Sequence, residues 1–181
     1  MVLFANPILL DTYNCILSKL DVRDFSLENV SAEIKLKILE AARATGSGLN
    51  MQHWRFILVQ ESDSIKKLAK DSTSGKWVAK ANFAIVVLTN PNYNFHMIDA
   101  GRVVQDMQLA AWNFGVVSCL FTGINVENLG RDFSIPEQIQ PSIVVGFGYP
   151  ARKISGKKSR LPLNEIAFHE KYGRVLDLQK L

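Results

Sequence analysis

Apolar positions along this chain change their spacing several times, and each spacing predicts an element. Residues 8 to 19 set Leu9, Tyr13, Ile16 and Leu17, with Leu20 just beyond, along one stripe at helical spacing. Asp11 stands early in that segment and Lys19 late, the charge order a helix dipole favours. The run SAEIKLKILEAARA (31–44) predicts a second helix. Ser31 is its N-cap candidate, Ile34, Ile38, Leu39 and Ala42 face inward, and the helix must stop near TGSG, where Gly46 and Gly48 flank Ser47. WRFILVQ (54–60) alternates as a strand does, and SDSIKKLAKDS (62–72) reads as a short helix with a polar face. FAIVVLT (83–89) is apolar on both faces, the pattern of a central strand covered on each side. Residues 96–114 make the longest helical segment. Ile98, Gly101, Val104, Met107, Leu109 and Ala111 lie nearly all round it, which predicts a buried helix. GVVSCLF (115–121) and PSIVVGFGYP (141–150) predict two further strands. The tail beyond residue 163 carries Phe168 and Tyr172 but little periodicity, and is expected to wrap another surface.

Helices and strands in this order predict one layered domain over residues 1–181, α+β or α/β, with helices on a mixed sheet. Strand order stays open. A content of 48% hydrophobic and 21% charged residues excludes a disordered or fibrous chain. The net charge of +4 suits an anionic ligand as well as it suits nucleic acid or a membrane surface. Cys15 and Cys119 form no CxxC pair, so neither a disulfide framework nor a structural zinc site is expected, and a cytoplasmic, reducing location is. The apolar runs fall far short of the roughly 20 residues that cross a bilayer. The N-terminal stretch lacks a basic n-region, so no signal peptide is expected either.

Most familiar chemical motifs are missing. There is no GxGxxG after a strand, no GxxxxGK[ST], no HExxH and no GxSxG, and His53, His96 and His169 are dispersed, which argues against a metal site. Three other stretches gather polar groups at element boundaries: SKLDVRDF, TGSGLNMQHW and KKSRLP. In the first, Lys19, Asp21 and Arg23 alternate, so an extended backbone points all three the same way. The second offers Ser47, Asn50 and Gln52 from a glycine-rich turn. The third clusters Lys157, Lys158 and Arg160, the residue types that hold a phosphate through charge-assisted hydrogen bonds.

Taken in order, these stretches resemble the nitroreductase family of FMN-dependent enzymes. KLDVR stands where that family carries an Arg-Arg-Ser-x-Arg element, and GSGLNMQHW where it carries Pro-Ser-x-x-Asn-x-Gln-Pro-Trp. DAGRVVQDMQLAAWNFGVVS matches its buried central helix, GFGYP its Gly-Tyr-Pro, and KSRLPL its basic element before Pro-Leu. The ordered set covers most of residues 10–165.

The resemblance implies an α+β fold, helices packed on a central mixed, mostly antiparallel sheet, in a homodimer with FMN sites at its interface. It implies hydride or electron transfer from NAD(P)H through flavin N5 to a nitroaromatic, a quinone or a similar electron-poor acceptor, with no side-chain acid or base required. Lys19, Asp21, Arg23, Lys158 and Arg160 would hold the phosphate and the N1/C2 carbonyl edge. Thr122 and Gly123 would present backbone to N5, glycine allowing close approach. Ser47, Asn50 and Gln52 would reach the cofactor from the partner subunit, and Tyr93 and Phe95 are candidate substrate contacts. Trp54 is expected in the core or the dimer interface; Trp77 lies near the region that can serve the ribityl chain. Five positions depart from the pattern: Lys19 and Leu20 replace the paired arginines, Asp21 replaces a serine beside the phosphate, and Gly46 and His53 replace prolines. The alternatives are a non-catalytic flavin-binding protein and a specialised flavin enzyme such as a reductive dehalogenase. No aromatic-interleaved basic platform supports a nucleic-acid partner.

Overall fold

A computed structural model describes residues 11–177. Its elements are α1 (Thr12–Ser18), α2 (Ala32–Ala44), β1 (Arg55–Val59), α3 (Ser62–Lys70), β2 (Phe83–Thr89), α4 (His96–Asn113), β3 (Val117–Phe121), α5 (Val126–Asp132), β4 (Gln140–Gly148) and α6 (Leu163–Ile166), with short 3-10 turns at Gly48–Asn50 and Lys76–Lys80. The four strands run in the order β1-β2-β4-β3, each antiparallel to its neighbour. Segment 20–25 lies beside this sheet, with a parallel bridge from Asp21 to Ser118 and an antiparallel one from Phe25 to Pro150. The four paired strands are antiparallel throughout, and the parallel contact is this isolated bridge beside them.

β2 is buried along its whole length, as a two-faced apolar strand requires. The two-residue period of the strand sends Phe83, Ile85 and Val87 to one core, with Ile38 and Ala42 of α2 and Val103, Val104 and Met107 of α4. Ala84, Val86 and Leu88 go to the other, with Leu68 of α3, Phe121 of β3 and Leu129 of α5. Phe83 and Phe147 are register partners on β2 and β4, and their rings stack with centroids 4.8 Å apart. The β2–β4 ladder slips between Val87 and Leu88, where Pro141 stands opposite and has no N–H to give.

The Ser31 side chain accepts the Ile34 N–H at 3.3 Å and caps α2, which ends when Thr45 turns extended. Ile38 and Ala42 are fully buried, with Ile34 and Leu39 packed beside them. Burial in α1 and α4 is narrower than their apolar residues suggest, and for α4 this corrects the expectation of a helix buried on most sides. In α1, Asp11 caps the helix by accepting the Asn14 N–H at 2.9 Å, but only Cys15 is buried; Tyr13, Ile16 and Leu17 are exposed, and Leu9 lies outside the described residues. An apolar stripe marks a face that avoids water, and among the described residues nothing covers it. In α4 the core takes Val103, Val104, Met107 and Ala111, while Ile98 is 66% exposed and Gly101 has open space beside it. That helix has one buried face and one bare one.

The tail runs over the surface with Leu161, Leu163, Ile166 and Tyr172 exposed; an isolated Phe168–Val175 bridge and a Phe168–Tyr172 ring contact at 4.7 Å order its end. Among the described residues, no helix is long and apolar enough to cross a membrane, and no cluster of His, Cys, Asp or Glu could hold a metal ion.

Candidate functional site

Lys19 caps the end of α1, donating its N–H to the Cys15 carbonyl at 2.9 Å, and its side chain turns inward. The ammonium stands 2.6 Å from Asp21 Oδ1 and 3.0 Å from Oε1 of Gln108, a buried residue of α4. Gln108 Nε2 donates back to Asp21 Oδ1 at 3.2 Å and to Ser118 Oγ at 3.1 Å. The backbone of segment 20–25 is fixed to β3 at the same place by the Val22 N–H donating to the Ser118 carbonyl at 3.0 Å. A short polar network therefore locks the segment after α1 against a sheet edge and a central helix.

The C-terminal basic cluster folds back onto this network. Lys158 donates from Nζ to the Ile16 carbonyl in the last turn of α1, one of the carbonyls a helix end leaves without an internal partner. Ile16, Lys19, Asp21, Gln108 and Leu120 then line a cavity of about 690 Å³ together with Lys157, Lys158 and Arg160. Four cations face one carboxylate across it. Loss of solvent, followed by the nearby Arg160 and Lys19 charges, pushes the Lys158 ammonium below the ordinary lysine range, with Asp21 opposing the shift. Four cationic side chains against one carboxylate give the cavity a net positive lining, which suits an anion. The donors therefore fit a phosphate group.

Arg23 faces elsewhere. Strict alternation would align it with Lys19 and Asp21, but its Nε donates to Cys119 Sγ at 3.3 Å and its guanidinium lies 5.8 Å from the Trp77 ring centroid. It lines an adjoining groove of about 860 Å³ with Lys80, Arg152 and Lys153. Leu20 and Asp21 line both spaces, so the two are neighbours. Trp77 is held between Phe25 and Phe121, and its indole N–H is buried without a hydrogen-bond partner.

The turn with Ser47, Asn50 and Gln52 lies on another part of the chain and lines neither space. The Ser47 hydroxyl accepts the Gln52 N–H at 3.0 Å, and Leu49, Asn50 and Gln52 all have positive φ. This tight loop is anchored from below. Asp99, buried in the first turn of α4, accepts the Gly48 N–H at 3.0 Å and pairs with His53 Nε2 at 3.2 Å. Gly48 is needed because a Cβ there would lie 2.5 Å from the Phe95 ring. Tyr93 and Phe95 stack on each other at 5.5 Å and both lean on His53, so the two half-buried rings support the loop.

Thr122 is exposed just beyond β3. At Gly123 the close approach is by the chain itself: its carbonyl accepts the Thr73 N–H at 2.8 Å, and a Cβ would come within 2.3 Å of the Thr73 hydroxyl and 2.5 Å of the Ser74 hydroxyl. Trp54 is buried in the α2/α4 core. Gln108, the hub of the cradle, escapes a sequence reading; its one signal is an amide side chain placed on the buried face of an otherwise apolar helix.

The chain matches the family model described as the nitroreductase family over residues 16–90 and 71–149. It is 30% identical over 151 residues to a protein of Methanothermobacter thermautotrophicus provisionally named an NADH dehydrogenase/NAD(P)H nitroreductase, covering 78% of each chain. It is 23% identical over 184 residues to an FMN reductase (NADPH) of Bacillus subtilis, covering 88% of this chain and 73% of that one. The crystal structure of a nitroreductase family protein of Clostridium difficile 630 superposes with a TM-score of 0.78 at 26% identity, over 87% of this chain and 96% of its own.

Proposed function

The chain belongs to the nitroreductase family, and from that premise we propose that it passes a hydride or electrons from NAD(P)H through FMN to an electron-poor acceptor of the nitroaromatic or quinone class. At the family level it is an FMN-dependent, NAD(P)H-using oxidoreductase. FMN supplies the redox chemistry when bound, at its N5 position. The protein's part is to bind and to tune. Lys19, Lys158 and Arg160 would hold the phosphate in the cradle, and Arg23, in the adjoining groove, would favour negative charge at the N1/C2 edge. Backbone at Thr122 and Gly123 is assigned to the N5 edge.

Ser47, Asn50 and Gln52 complete a site only across a subunit boundary, and a second copy of this chain is the proposed source. The bare apolar positions on α1, Ile98 on α4 and the exposed apolar residues of the tail would be covered by the same association. Tyr93 and Phe95 would then border the acceptor's entry while bracing the loop. One domain over residues 1–181 and a cytoplasmic setting complete the proposal.

One observation carries this reading: cationic residues from segments near the two ends of the chain converge on one cavity whose lining holds a single carboxylate. The test is an anaerobic absorbance titration of the purified, flavin-loaded protein with NADH and with NADPH, followed by addition of a quinone or nitroaromatic. Bleaching of the flavin band and its return with the acceptor are expected. A yellow protein that neither nucleotide bleaches would remove the oxidoreductase reading.

A further inference from the structure

The cradle contains a group that works against its own ligand. Asp21 Oδ1 accepts from Lys19 Nζ at 2.6 Å and from Gln108 Nε2 at 3.2 Å, inside the cavity that Lys157, Lys158 and Arg160 also line. Lys19 has three N–H donors. One is given to Asp21 and one to Gln108 Oε1, which leaves at most one for any incoming acceptor. The Lys19 side chain is 11% exposed and enclosed, whereas that of Asp21 is 58% exposed and has room to swing.

We propose that Asp21 makes this chain a loose holder of the flavin phosphate, so that FMN exchanges with flavin in solution and is only weakly preferred over unphosphorylated riboflavin. This rests on the FMN reading above. A phosphate entering the cradle meets the best-enclosed cation already paired, with a like charge at hydrogen-bonding distance from it. Either the two anions share Lys19 or the Asp21 side chain is pushed toward solvent; each course subtracts from phosphate affinity without abolishing it. A riboflavin molecule brings no charge to this cavity and escapes the penalty. The backbone bridge from Asp21 to Ser118 holds the main chain independently of the carboxylate, so the side chain can be changed without moving the segment.

The test measures dissociation constants of the full chain for FMN and for riboflavin by fluorescence quenching, in the wild type, Asp21→Asn and Asp21→Ser. Asp21→Asn keeps the shape and a hydrogen-bonding oxygen while removing the charge; Asp21→Ser also removes the bulk. Both variants are expected to bind FMN roughly tenfold or more tightly than the wild type while riboflavin affinity changes by less than about twofold, the scale of one charge-assisted hydrogen bond gained. FMN affinity that stays the same or falls in both variants overturns the proposal, since Asp21 would then be ordering Lys19 for the phosphate. Failure of all three proteins to bind either flavin removes the FMN reading and this inference with it.

Discussion

Lys158 donates from its ammonium to the carbonyl of Ile16, across 142 residues of chain. The surrounding tail is largely exposed, and this contact brings the second cationic segment to the end of α1, where Lys19 already stands. A helix end offers unpaired carbonyls and a partial negative charge, so a lysine is a suitable partner there.

Removing that cluster's charge should loosen the cofactor selectively. Lys158→Ala and Arg160→Ala are each expected to weaken FMN binding roughly tenfold or more, the value of a hydrogen bond to a charged group, with riboflavin binding little altered. Equilibrium dialysis with both flavins checks this; equal losses for both would place Lys158 and Arg160 away from the phosphate.

The same lysine gives a pH signature. Its ammonium is held below the ordinary value of 10.5 in the folded chain, first by desolvation and then by Arg160 and Lys19. Between the folded and unfolded values the unfolded chain binds more protons at this site, so its contribution to stability rises with pH. Relative to Lys158→Met, the ligand-free wild type should therefore gain stability as pH is raised from neutral toward 10.5. Parallel urea denaturation series would show it, and a constant difference between the two proteins would contradict it.

At Gly123 a methyl group would strike the Thr73 and Ser74 hydroxyls. Gly123→Ala is expected to cost about 1–3 kcal/mol of stability, and the triple variant that also carries Thr73→Ala and Ser74→Ala should recover much of it. Denaturant midpoints decide the matter. An additive series would mean that the turn at 72–74 moves aside freely.

Asp99 joins the loop of Ser47 and Asn50 to α4 through Gly48 N–H and His53. Asp99→Ala leaves both partners without their buried acceptor and should destabilise the chain by about 3 kcal/mol or more. Hydrogen exchange at the Gly48 amide should accelerate in the variant. If protection there is unchanged, Asp99 does not clamp the loop.

The bare face of α1 should matter in the assembly and not in the monomer fold. Leu17→Glu replaces an exposed side chain and is expected to shift the protein from dimer to monomer in sedimentation velocity while leaving its circular dichroism unchanged. A wild-type protein that sediments as a monomer would remove the proposed interface.

Local chemistry along the chain suffices for most elements. The Ser31 cap, the inward set of α2, the two-faced run of β2 and the stop at Thr45 each depend on residues a few positions apart, and each is present where the periodicity places it. The ordered motifs likewise mark the family. Spacing also suggests which residues are chemically suited to a phosphate.

Long-range packing decided the rest. The order β1-β2-β4-β3 depends on pairings between distant strands, which no local period encodes. Alternation would align Arg23 with Lys19, but the pull of Cys119 and Trp77 turns it into the next groove. Gln108 looks like an interruption of a helix until Ser118 and Lys19 fold against it. An apolar stripe states only that a surface avoids water. Whether the chain's own core or another molecule covers that surface is settled when the elements pack, because burial belongs to the neighbours a residue acquires.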